Sequence, residues 1–568
     1  MDKIWLASYP PGVPAEADVR AFSSLSAMFQ RSCERFAHRP AFTHMGSTLS
    51  FAELDALARA FAAYLQSELG LRRGERLAVM LPNCLQYPVA VFGALRAGLA
   101  VVNVNPLYTP SEVSFQLKDS GASAIVVLEQ FAHTVEQALP DTDIRHVIVT
   151  GIGDLFAPIK RGAVNFMARH FGKPVPTWTI PGAISLHEAL GQGARLTLDE
   201  PSLEAADAAF VQYTGGTTGR PKGAELSHGS MVANVEQTIA WIGGSLRPGQ
   251  EIVVTALPLY HVFALTANLL VFTRLGGENV LVSDPRDLHA FIKTLQHTPF
   301  TAMTGVNTMF NALLEAEGFD DVAAARRGSV KVVVAGGMAL QRHVAERWQE
   351  AMGVPLIEGY GLTEASPIIC ANRVDLPQFT GKLGLPLPST DIALLNDEGE
   401  EVMLGCVGEI CARGPQLMTG YWNKPAETAR VINEQGWLRT GDMGRMDPSG
   451  YVEFVDRKKD IVVVSGFKAF PAEIEEVVRR HPGVKDAGVV GLPDERTGEA
   501  IALFVIPADP GLTVDDIRIH CEQHLTGYKR PRRIELRDAL PMSPLGKVLR
   551  RQLKQEALAT TQAQQSMA

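Results

Sequence analysis

The segment from Tyr213 to Gly223, YTGGTTGRPKG, combines the residue types that bind a polyanion. Its glycines let backbone N–H groups approach phosphate oxygens closely, its threonines add hydroxyl donors, and Lys222 adds a positive charge. It is not a Walker A loop, because that motif ends in Gly-Lys-Ser/Thr. We predict a phosphate-binding loop between the strand AAFVQ and a helix that begins near His228, rather than an ordinary polar connection. The candidate residues are Tyr213, Thr214, Gly215, Gly216, Thr217, Thr218, Gly219 and Lys222.

A second segment, GYGLTE from Gly359 to Glu364, follows the predicted strand PLIE. Ligands of open α/β sheets bind at the carboxyl ends of the strands, which is where this segment lies. Tyr360 suits stacking on a base, Thr363 suits a phosphate and Glu364 suits Mg²⁺. A turn between two glycines, followed by a short helix, would need the same residues. The motif alone does not decide between the two interpretations.

Three later segments carry charged residues that indicate chemistry only in combination. In WLRTGD, the carboxylate of Asp442 stands beside a turn glycine and suits two ribose hydroxyls. Arg457, in the charged run DRKKD, suits a further ribose or phosphate contact. Taken alone, Asp442 is typical of a turn and DRKKD of a solvated linker. Lys547, in SPLGK, is by itself typical of a solvated lysine.

Short apolar strands alternate with helices on both sides of the first motif. Continuous Val/Ile runs separated by helices indicate parallel sheets covered on both faces, and two such rounds predict two doubly wound α/β subdomains. Residues 381–457 instead carry short strands punctuated by Gly and Pro, which predicts a small, mainly β unit. The strand candidates are 77–81, 99–105, 123–128 and 146–150 in the first round, and 208–214, 251–257, 278–282, 300–305, 330–337 and 354–361 in the second.

Beyond the charged run, a helix over 471–481 and strands over 484–492 and 500–506 predict a compact α/β segment. The tail from about Glu556 has no periodicity and is expected to fray.

Composition excludes several classes of protein. The chain has 568 residues, 46% of them hydrophobic and 20% charged, so it is globular and long enough for several cores. Its 53 Lys and Arg against 62 Asp and Glu give a net charge of −9, which argues against a general nucleic-acid binder. Six cysteines, with only Cys406 and Cys411 close together, exclude a disulfide scaffold and argue against zinc. Neither a signal peptide nor an integral membrane span is expected.

The order of the motifs along the chain favours ligand binding over the purely structural interpretation of each motif. YTGGTTGRPKG, YGLTE, GWLRTGD, DRKKD and PLGK are similar, in that order, to the core motifs of the adenylate-forming superfamily, and the resemblance spans residues 25–555. The stretches NVNPLYTP, LPLYHVFALT and LTGYKRPRRIE resemble its bacterial long-chain fatty-acid CoA ligases. The resemblance implies an AMP-forming acid–thiol ligase that uses ATP and Mg²⁺ to activate a long-chain fatty acid. Acyl-AMP forms first, and coenzyme A then gives the thioester that enters β-oxidation.

Two other functions stay open at this point. A medium-chain or aryl acid CoA ligase would carry the same adenylation motifs. A non-catalytic nucleotide- or acyl-binding protein would have a broken motif set, yet Thr214, Glu364, Asp442 and Lys547 are all present.

The resemblance also implies residue roles. Lys547, Thr214, Glu364 and His261 form the expected catalytic set, with Lys547 bridging the fatty-acid carboxylate and the α-phosphate, and His261 forming a wall of the acyl site. The other implied placements are Thr214 and Glu364 on Mg²⁺, Tyr360 on adenine, Gly361 and Thr363 beside the nucleotide, Asp442 and Arg457 on ribose, Gly336 and Gly337 along the acyl and nucleotide pockets, and Gly466 near the pantetheine arm of coenzyme A.

The implied architecture is a large N-terminal adenylation domain over residues 1–456, a hinge over 457–460 around Lys459, and a small mobile α+β lid over 461–568. The expected partners are a long-chain fatty acid, ATP and coenzyme A, and no nucleic acid. We expect a cytoplasmic protein with peripheral contact to the inner membrane, since free long-chain acids partition into bilayers. The sequence leaves the preferred chain length open, and also the oligomeric state, with a homodimer among the options.

Overall fold

The computed structural model describes residues 3–171, 175–214, 221–242, 244–494, 496–542 and 548–567. They form two compact units. The large unit comprises Tyr9–Asp391 and Arg413–Leu438. The small unit comprises the described residues within Met1–Ser8, Ile392–Ala412 and Arg439–Ala568. Part of the β-rich stretch before residue 456 is thus grouped with the C-terminal segment, and the domain boundary at 456 stays a prediction.

The first sheet of the large unit has a parallel centre and an antiparallel edge. Its inner strands are short runs of Ala, Val and Ile that are buried along their length, as expected for strands covered on both faces. In spatial order the strands are Gly420–Tyr421, Lys222–Ser227, Ala208–Thr214, Ala100–Asn103, Arg76–Met80, Ala124–Leu128, His146–Thr150 and Ile184–Ser185.

The second sheet of the large unit is built in the same way. Its central strands are parallel, and strands at both edges run antiparallel to their neighbours. In spatial order they are Leu385–Pro386, Ile368–Ala371, Leu356–Gly361, Val332–Gly336, Ala302–Gly305, Ile252–Thr255, Glu278–Leu281, Pro40–His44 and Ser47–Ser50. The two predicted doubly wound subdomains are therefore present.

Helices cover these two sheets, and their ends follow local sequence rules. The Thr109 hydroxyl accepts a hydrogen bond from the Glu112 N–H, and the Glu112 carboxylate accepts one from the Thr109 N–H, so the helix Pro110–Ser120 begins with a capping box. The α-helices of the large unit are Leu25–Phe36, Phe51–Ser67, Gln86–Arg96, Pro110–Ser120, Ala132–Ala138, Pro158–His170, Leu186–Gly193, His228–Ile242, Val262–Ala264, Val271–Leu275, Leu288–His297, Asn307–Glu315, Phe319–Arg326, Arg342–Met352 and Pro425–Val431.

A buried polar network joins the two sheets. Asn103 donates from Nδ2 to Gln212 Oε1 at 3.0 Å, and Gln212 donates from Nε2 to the Tyr260 carbonyl at 2.8 Å. The Tyr87 hydroxyl lies 2.7 Å from Asn103 Oδ1 and 2.8 Å from the Leu259 carbonyl. Asn103 and Gln212 belong to the first sheet, whereas residues 259–260 follow a strand of the second. The network therefore fixes one sheet relative to the other.

The small unit contains two further sheets. One consists of Asp391–Leu395, Gly408–Arg413, Leu438–Met446 and Val452–Arg457, which is the predicted small β unit. The other has Phe467–Ala469, Val462–Val464, Gly498–Pro507 and Val484–Asp494, with Arg533–Leu536 beside Gly498–Pro507. Its α-helices are Pro471–Arg479, Val514–His524 and Arg550–Met567.

Three expectations about elements need correction. Lys222–Ser227 is a strand that was not predicted, so Thr214 and Lys222, at the two ends of the predicted phosphate loop, belong to antiparallel strands; the helix begins at His228, as predicted. Leu385–Pro386 pairs with the second sheet of the large unit and not with the small β unit. The tail expected to fray continues as a helix to Met567. No helix in the described part of the chain is both long and apolar enough to span a membrane.

Candidate active site

The residues that flank the predicted phosphate loop belong to a pair of antiparallel strands. Thr214, the last residue of its first strand, pairs with Lys222, the first residue of the second, and Tyr213 pairs with Gly223. Gly215, Gly216, Thr217, Thr218 and Gly219 lie outside the described residues. The hairpin brings the hydroxyl-bearing and lysine-bearing ends of the motif together.

Tyr213 anchors the hairpin through its side chain. Its hydroxyl donates to Asp119 Oδ2 at 2.7 Å, and Lys424 donates to both oxygens of the same carboxylate at 2.7 and 2.9 Å. Burial, with the nearby Asp119, raises the pKa of Tyr213. The hydroxyl is therefore a neutral donor committed to Asp119. Asp119 and Lys424 are partners that the sequence motif gave no sign of.

Tyr421 connects the phosphate-loop hairpin to the GYGLTE segment. Its hydroxyl donates to Glu364 Oε1 at 2.7 Å, and the Lys222 ammonium lies 4.9 Å from the centre of its ring. Lys222 also pairs with Glu427 at 2.5 Å. The first two motifs, distant in sequence, thus meet at one aromatic side chain. Tyr421 was missed by sequence reasoning, because a lone tyrosine in a two-residue strand has no pattern of its own.

Close backbone approach explains the glycines at the carboxyl ends of two neighbouring strands. Gly336 and Gly359 are register partners. A Cβ on Gly336 would lie 3.0 Å from the Phe263 ring, and one on Gly361 would lie 2.0 Å from the Pro367 carbonyl oxygen. Gly337 has φ +77°, and a Cβ there would lie 3.8 Å from Val306 Cγ1. Tyr360 and Thr363, on either side of Gly361, are half-buried.

His261 lies at the start of the helix that runs from 262 to 275. Its Nδ1 accepts a hydrogen bond from the Phe263 N–H at 3.3 Å, which caps the helix. The middle of that helix, Leu265–Leu270, is a buried π-helix, a rare form that occurs frequently at functional sites. One ring nitrogen of His261 is thus used as a cap, and its role as a wall of the acyl site stays a prediction.

Glu358 is a buried carboxyl group that the sequence analysis did not single out. It directly precedes Gly359, and Asn372 donates to its Oε2 at 3.4 Å. Burial raises its pKa to about 8, and a hydrogen bond from the Gly381 N–H opposes this shift. Glu358 is therefore protonated at neutral pH.

In the small unit, Asp442 and Arg457 are direct cross-strand neighbours. Arg457 Nε lies 3.5 Å from Asp442 Oδ1, and the Asp442 N–H donates to Thr440 Oγ1 at 3.1 Å. Glu409 holds the same turn by accepting from the Gly441 N–H at 3.2 Å. The structure thus brings together the two residues that were predicted to hold ribose.

The residues around Lys459 form an ionic cluster. Arg550 contacts Asp456, Asp460 and Glu475 at 3.3, 3.0 and 2.9 Å. Asp456 is fully buried and also accepts hydrogen bonds from the Ala472 and Arg457 N–H groups at 2.6 and 2.7 Å. Lys459 itself lies in the short 3₁₀ turn Lys458–Asp460 and is exposed. Arg550, which the sequence did not single out, thus contacts acidic residues on both sides of Lys459.

Gly466 stands at the tip of a second hairpin, between Val462–Val464 and Phe467–Ala469. Ser465 and Gly466 have φ +50° and +84°, and no atom lies within 4 Å of a Cβ built on Gly466. The backbone at Gly466 is therefore open to close approach by a ligand. Lys547 lies outside the described residues.

The described residues contain no cluster of three or more His, Cys, Asp or Glu side chains arranged around a metal ion. Glu364 nevertheless has the chemistry that Mg²⁺ needs. Its Oε1 accepts from Tyr421, which leaves Oε2 without a hydrogen bond among those same residues. Mg²⁺ is commonly bound by one or two carboxylates together with substrate phosphates, and Glu364 with the Thr214 hydroxyl fits that pattern.

The fold and these motifs define the class of protein. The AMP-binding enzyme family matches residues 29–422, and its C-terminal domain matches residues 473–547. The chain belongs to the AMP-binding enzyme family.

Individual relatives narrow the class further. The long-chain-fatty-acid–CoA ligase of Salmonella typhimurium is 50% identical over 557 residues, which cover 98% of this chain and 99% of the relative. The enzyme of the same description from Bacillus subtilis is 35% identical and covers 98% of each chain. Among solved structures, ATP-bound MatB from Rhodopseudomonas palustris is 26% identical, with a TM-score of 0.78 and coverage of 94% of this chain and 98% of that one.

The raised pKa of Glu358 gives a pH test. Folded Glu358 keeps its proton to about pH 8, whereas the ordinary value is 4.5. Between these values the folded state binds more protons, so the free energy of unfolding falls as pH rises. We expect Glu358→Gln to remove this slope, which is at most about 1.4 kcal/mol per pH unit. Urea unfolding between pH 5.5 and 7.5 measures it.

The matched control for this test is Glu350→Gln, which changes an exposed glutamate on the helix Arg342–Met352. It should leave the slope of the parent protein intact. Parallel slopes for the parent protein and Glu358→Gln would show that Glu358 ionises normally.

Proposed function

We propose that this chain is a long-chain fatty-acid CoA ligase of the AMP-forming type. The observation that carries the proposal is the 50% identity, over almost the full length of both chains, to a long-chain-fatty-acid–CoA ligase. The geometry supports it, because the hairpin of Thr214 and Lys222 meets Glu364 through Tyr421. A polyanion site beside a carboxylate is what ATP-dependent activation of an acid requires.

In the first half-reaction a fatty-acid carboxylate oxygen attacks the α-phosphorus of ATP, and pyrophosphate leaves. The residues Thr214 to Lys222 hold the β- and γ-phosphates, Tyr360 stacks on adenine beside Gly361 and Thr363, and Asp442 with Arg457 holds the ribose. Lys547 bridges the carboxylate and the α-phosphate, where charge develops in the transition state. His261, Gly336 and Gly337 line the acyl side.

Mg²⁺ offsets the charge repulsion between ATP and the incoming carboxylate. Thr214 and Glu364 are the residues that would hold it. Tyr421 keeps the Glu364 carboxylate oriented, because its hydroxyl donates to Glu364 Oε1 at 2.7 Å.

In the second half-reaction the thiol of coenzyme A attacks the acyl carbon, AMP leaves, and the thiol proton goes to solvent. The hairpin tip at Gly466 receives the pantetheine arm. The lid over 461–568 changes its orientation between the two half-reactions about Lys459. The cluster around Arg550 supports this assignment, because it ties the residues on both sides of Lys459 to the helix Pro471–Arg479 and leaves Lys459 itself exposed.

The substrate also bears on location. A long-chain acid partitions into bilayers, so a cytoplasmic enzyme that uses it gains from peripheral contact with the membrane. Homodimer formation stays a prediction.

The acid specificity tests the proposal directly. We expect AMP release that requires coenzyme A to have its highest kcat/KM with palmitate or oleate, because the relatives that share the whole chain act on long-chain acids. Octanoate, 4-coumarate and acetate, assayed in parallel, represent the medium-chain, aryl and short-chain alternatives. A higher kcat/KM with any of these three would assign the enzyme to another acid.

Two lysine variants separate the half-reactions. Lys547→Ala should slow single-turnover acyl-AMP formation by about 10²–10³ and spare thioester formation from synthetic acyl-AMP. Lys459→Pro should do the reverse, because proline fixes φ and restricts the preceding residue in the hinge. The two variants serve as controls for each other. Equal loss of both steps in either variant would remove the role assigned to that lysine.

A further inference from the structure

The helix Pro158–His170 lies on the surface of the large unit with its apolar side outward. No residue of this helix is buried. Ile159, Phe166 and Met167 are 91, 56 and 58% exposed, and Phe171, directly after the helix, is 68% exposed. Large apolar side chains so close together are unusual on a protein surface unless something covers them.

The spacing shows that the apolar side is one continuous face. Ile159, Ala163, Phe166, Met167 and His170 recur at i, i+4, i+7, i+8 and i+11, which places them on one side of an α-helix. The Phe166 ring stacks on His170 at 4.4 Å and lies 6.1 Å from Phe171. The face is therefore an ordered aromatic and aliphatic surface about three turns long.

The polar side of the helix holds it to the protein. Asn165 donates to Asp154 at 2.7 Å and accepts from the Gly153 N–H at 2.8 Å. Arg161 donates to His187 Nε2 at 2.9 Å. This arrangement is the reverse of an ordinary surface helix, whose apolar side packs on the core. The helix is fixed by hydrogen bonds and offers its hydrophobic side outward.

The charged residues of the helix itself, Lys160, Arg161 and Arg169, are all positive. Residues 155–187 contain no Asp or Glu but carry Lys160, Arg161, Arg169 and Lys173, in a chain with a net charge of −9. Glu129 pairs with Arg169 at 2.9 Å and offsets one of these charges. A cavity of about 430 Å³ lies beside the helix. Its lining includes Arg161, Arg169, His170 and His187, together with Asp154 and Asn165, which are hydrogen-bonded to each other.

We propose that the helix Pro158–His170 is the membrane-contact surface of this protein and lies in the plane of an anionic bilayer. Its apolar face enters the boundary between headgroups and acyl chains, and the flanking Lys160 and Arg169 stay at headgroup level, as in interfacial amphipathic helices. Charge complementarity selects an anionic lipid surface as the occupant. This inference rests on the proposed peripheral contact with the membrane and assigns that contact to one helix. The experiment below distinguishes failure of the helix assignment from failure of the peripheral contact.

The test is flotation of the full-length enzyme with vesicles of phosphatidylcholine and phosphatidylglycerol, or of phosphatidylcholine alone. The triple variant Ile159→Glu/Phe166→Glu/Met167→Glu should lose about tenfold or more in partition to the anionic vesicles. The matched control Met403→Glu/Leu404→Glu changes exposed apolar residues of the small unit and should bind like the parent. In hydrogen exchange, anionic vesicles should protect the amides of 158–171.

Activity on water-soluble octanoate should be the same in the parent and the triple variant, because the helix does not touch the proposed reacting groups. Failure of the parent to bind anionic vesicles would overturn both the helix assignment and the peripheral contact. Equal binding by the parent and the triple variant would overturn the helix assignment alone.

Sedimentation without vesicles tests the competing occupant, a second copy of the chain. The parent and the triple variant should have the same mass. A dimer present in the parent and lost in the variant would assign this face to self-association and overturn the membrane assignment.

Discussion

The hydrogen bonds of two buried amides, Asn103 and Gln212, hold the parts of the large unit that the chemistry needs. Gln212 lies two residues before Thr214, and its side chain binds the carbonyl of Tyr260, the residue before His261. Asn103 Nδ2 donates to Oε1 of the same Gln212 side chain. An amide left unsatisfied in this environment costs about 1–3 kcal/mol, so neither group has an alternative arrangement of similar energy. The strand that ends at Thr214 and the segment that leads to His261 are thereby positioned together.

The sites in the two units depend on polar contacts of the same kind. In the large unit, Tyr421 sets the orientation of Glu364, and Asp119 fixes Tyr213. In the small unit, Arg550 satisfies acidic groups on both sides of Lys459. Removing one partner of a buried ion pair lowers the stability of the fold by more than the intact pair contributes to it. The remaining charge is then buried with neither a partner nor water to solvate it. The supporting residues are therefore as restricted in type as the residues that would meet the substrate.

The sequence predicted most of the parallel strands, because a strand covered on both faces must be a short run of apolar residues and such runs are visible without alignment. It missed the strand Lys222–Ser227, since KGAELS has neither a Val/Ile run nor a strict alternation. That segment becomes a strand through its pairing with Ala208–Thr214. The dipeptide strands Gly420–Tyr421 and Leu385–Pro386 are likewise defined only by their neighbours.

For the site, residues inside dense motifs were predictable and their supports were not. Asp442 and Arg457 were expected to act together, and they are cross-strand partners. Tyr421 and Arg550 were not found, because each acts through a partner more than fifty residues away in sequence. A glutamate such as Glu358 has no sequence sign of a raised pKa, since burial is its main cause. Long-range pairing and desolvation are properties of the folded chain.

A double-mutant cycle on Asn103→Leu and Gln212→Leu tests most directly whether this amide network positions the two loops. The readouts are single-turnover acyl-AMP formation and urea unfolding, with Gln435→Leu as an exposed control. Each single variant should slow adenylation by about tenfold or more while remaining folded, and the double variant should be little worse than the slower single variant, because both changes break one network. Strictly additive effects, or adenylation at the parental rate in either single variant, would contradict the account.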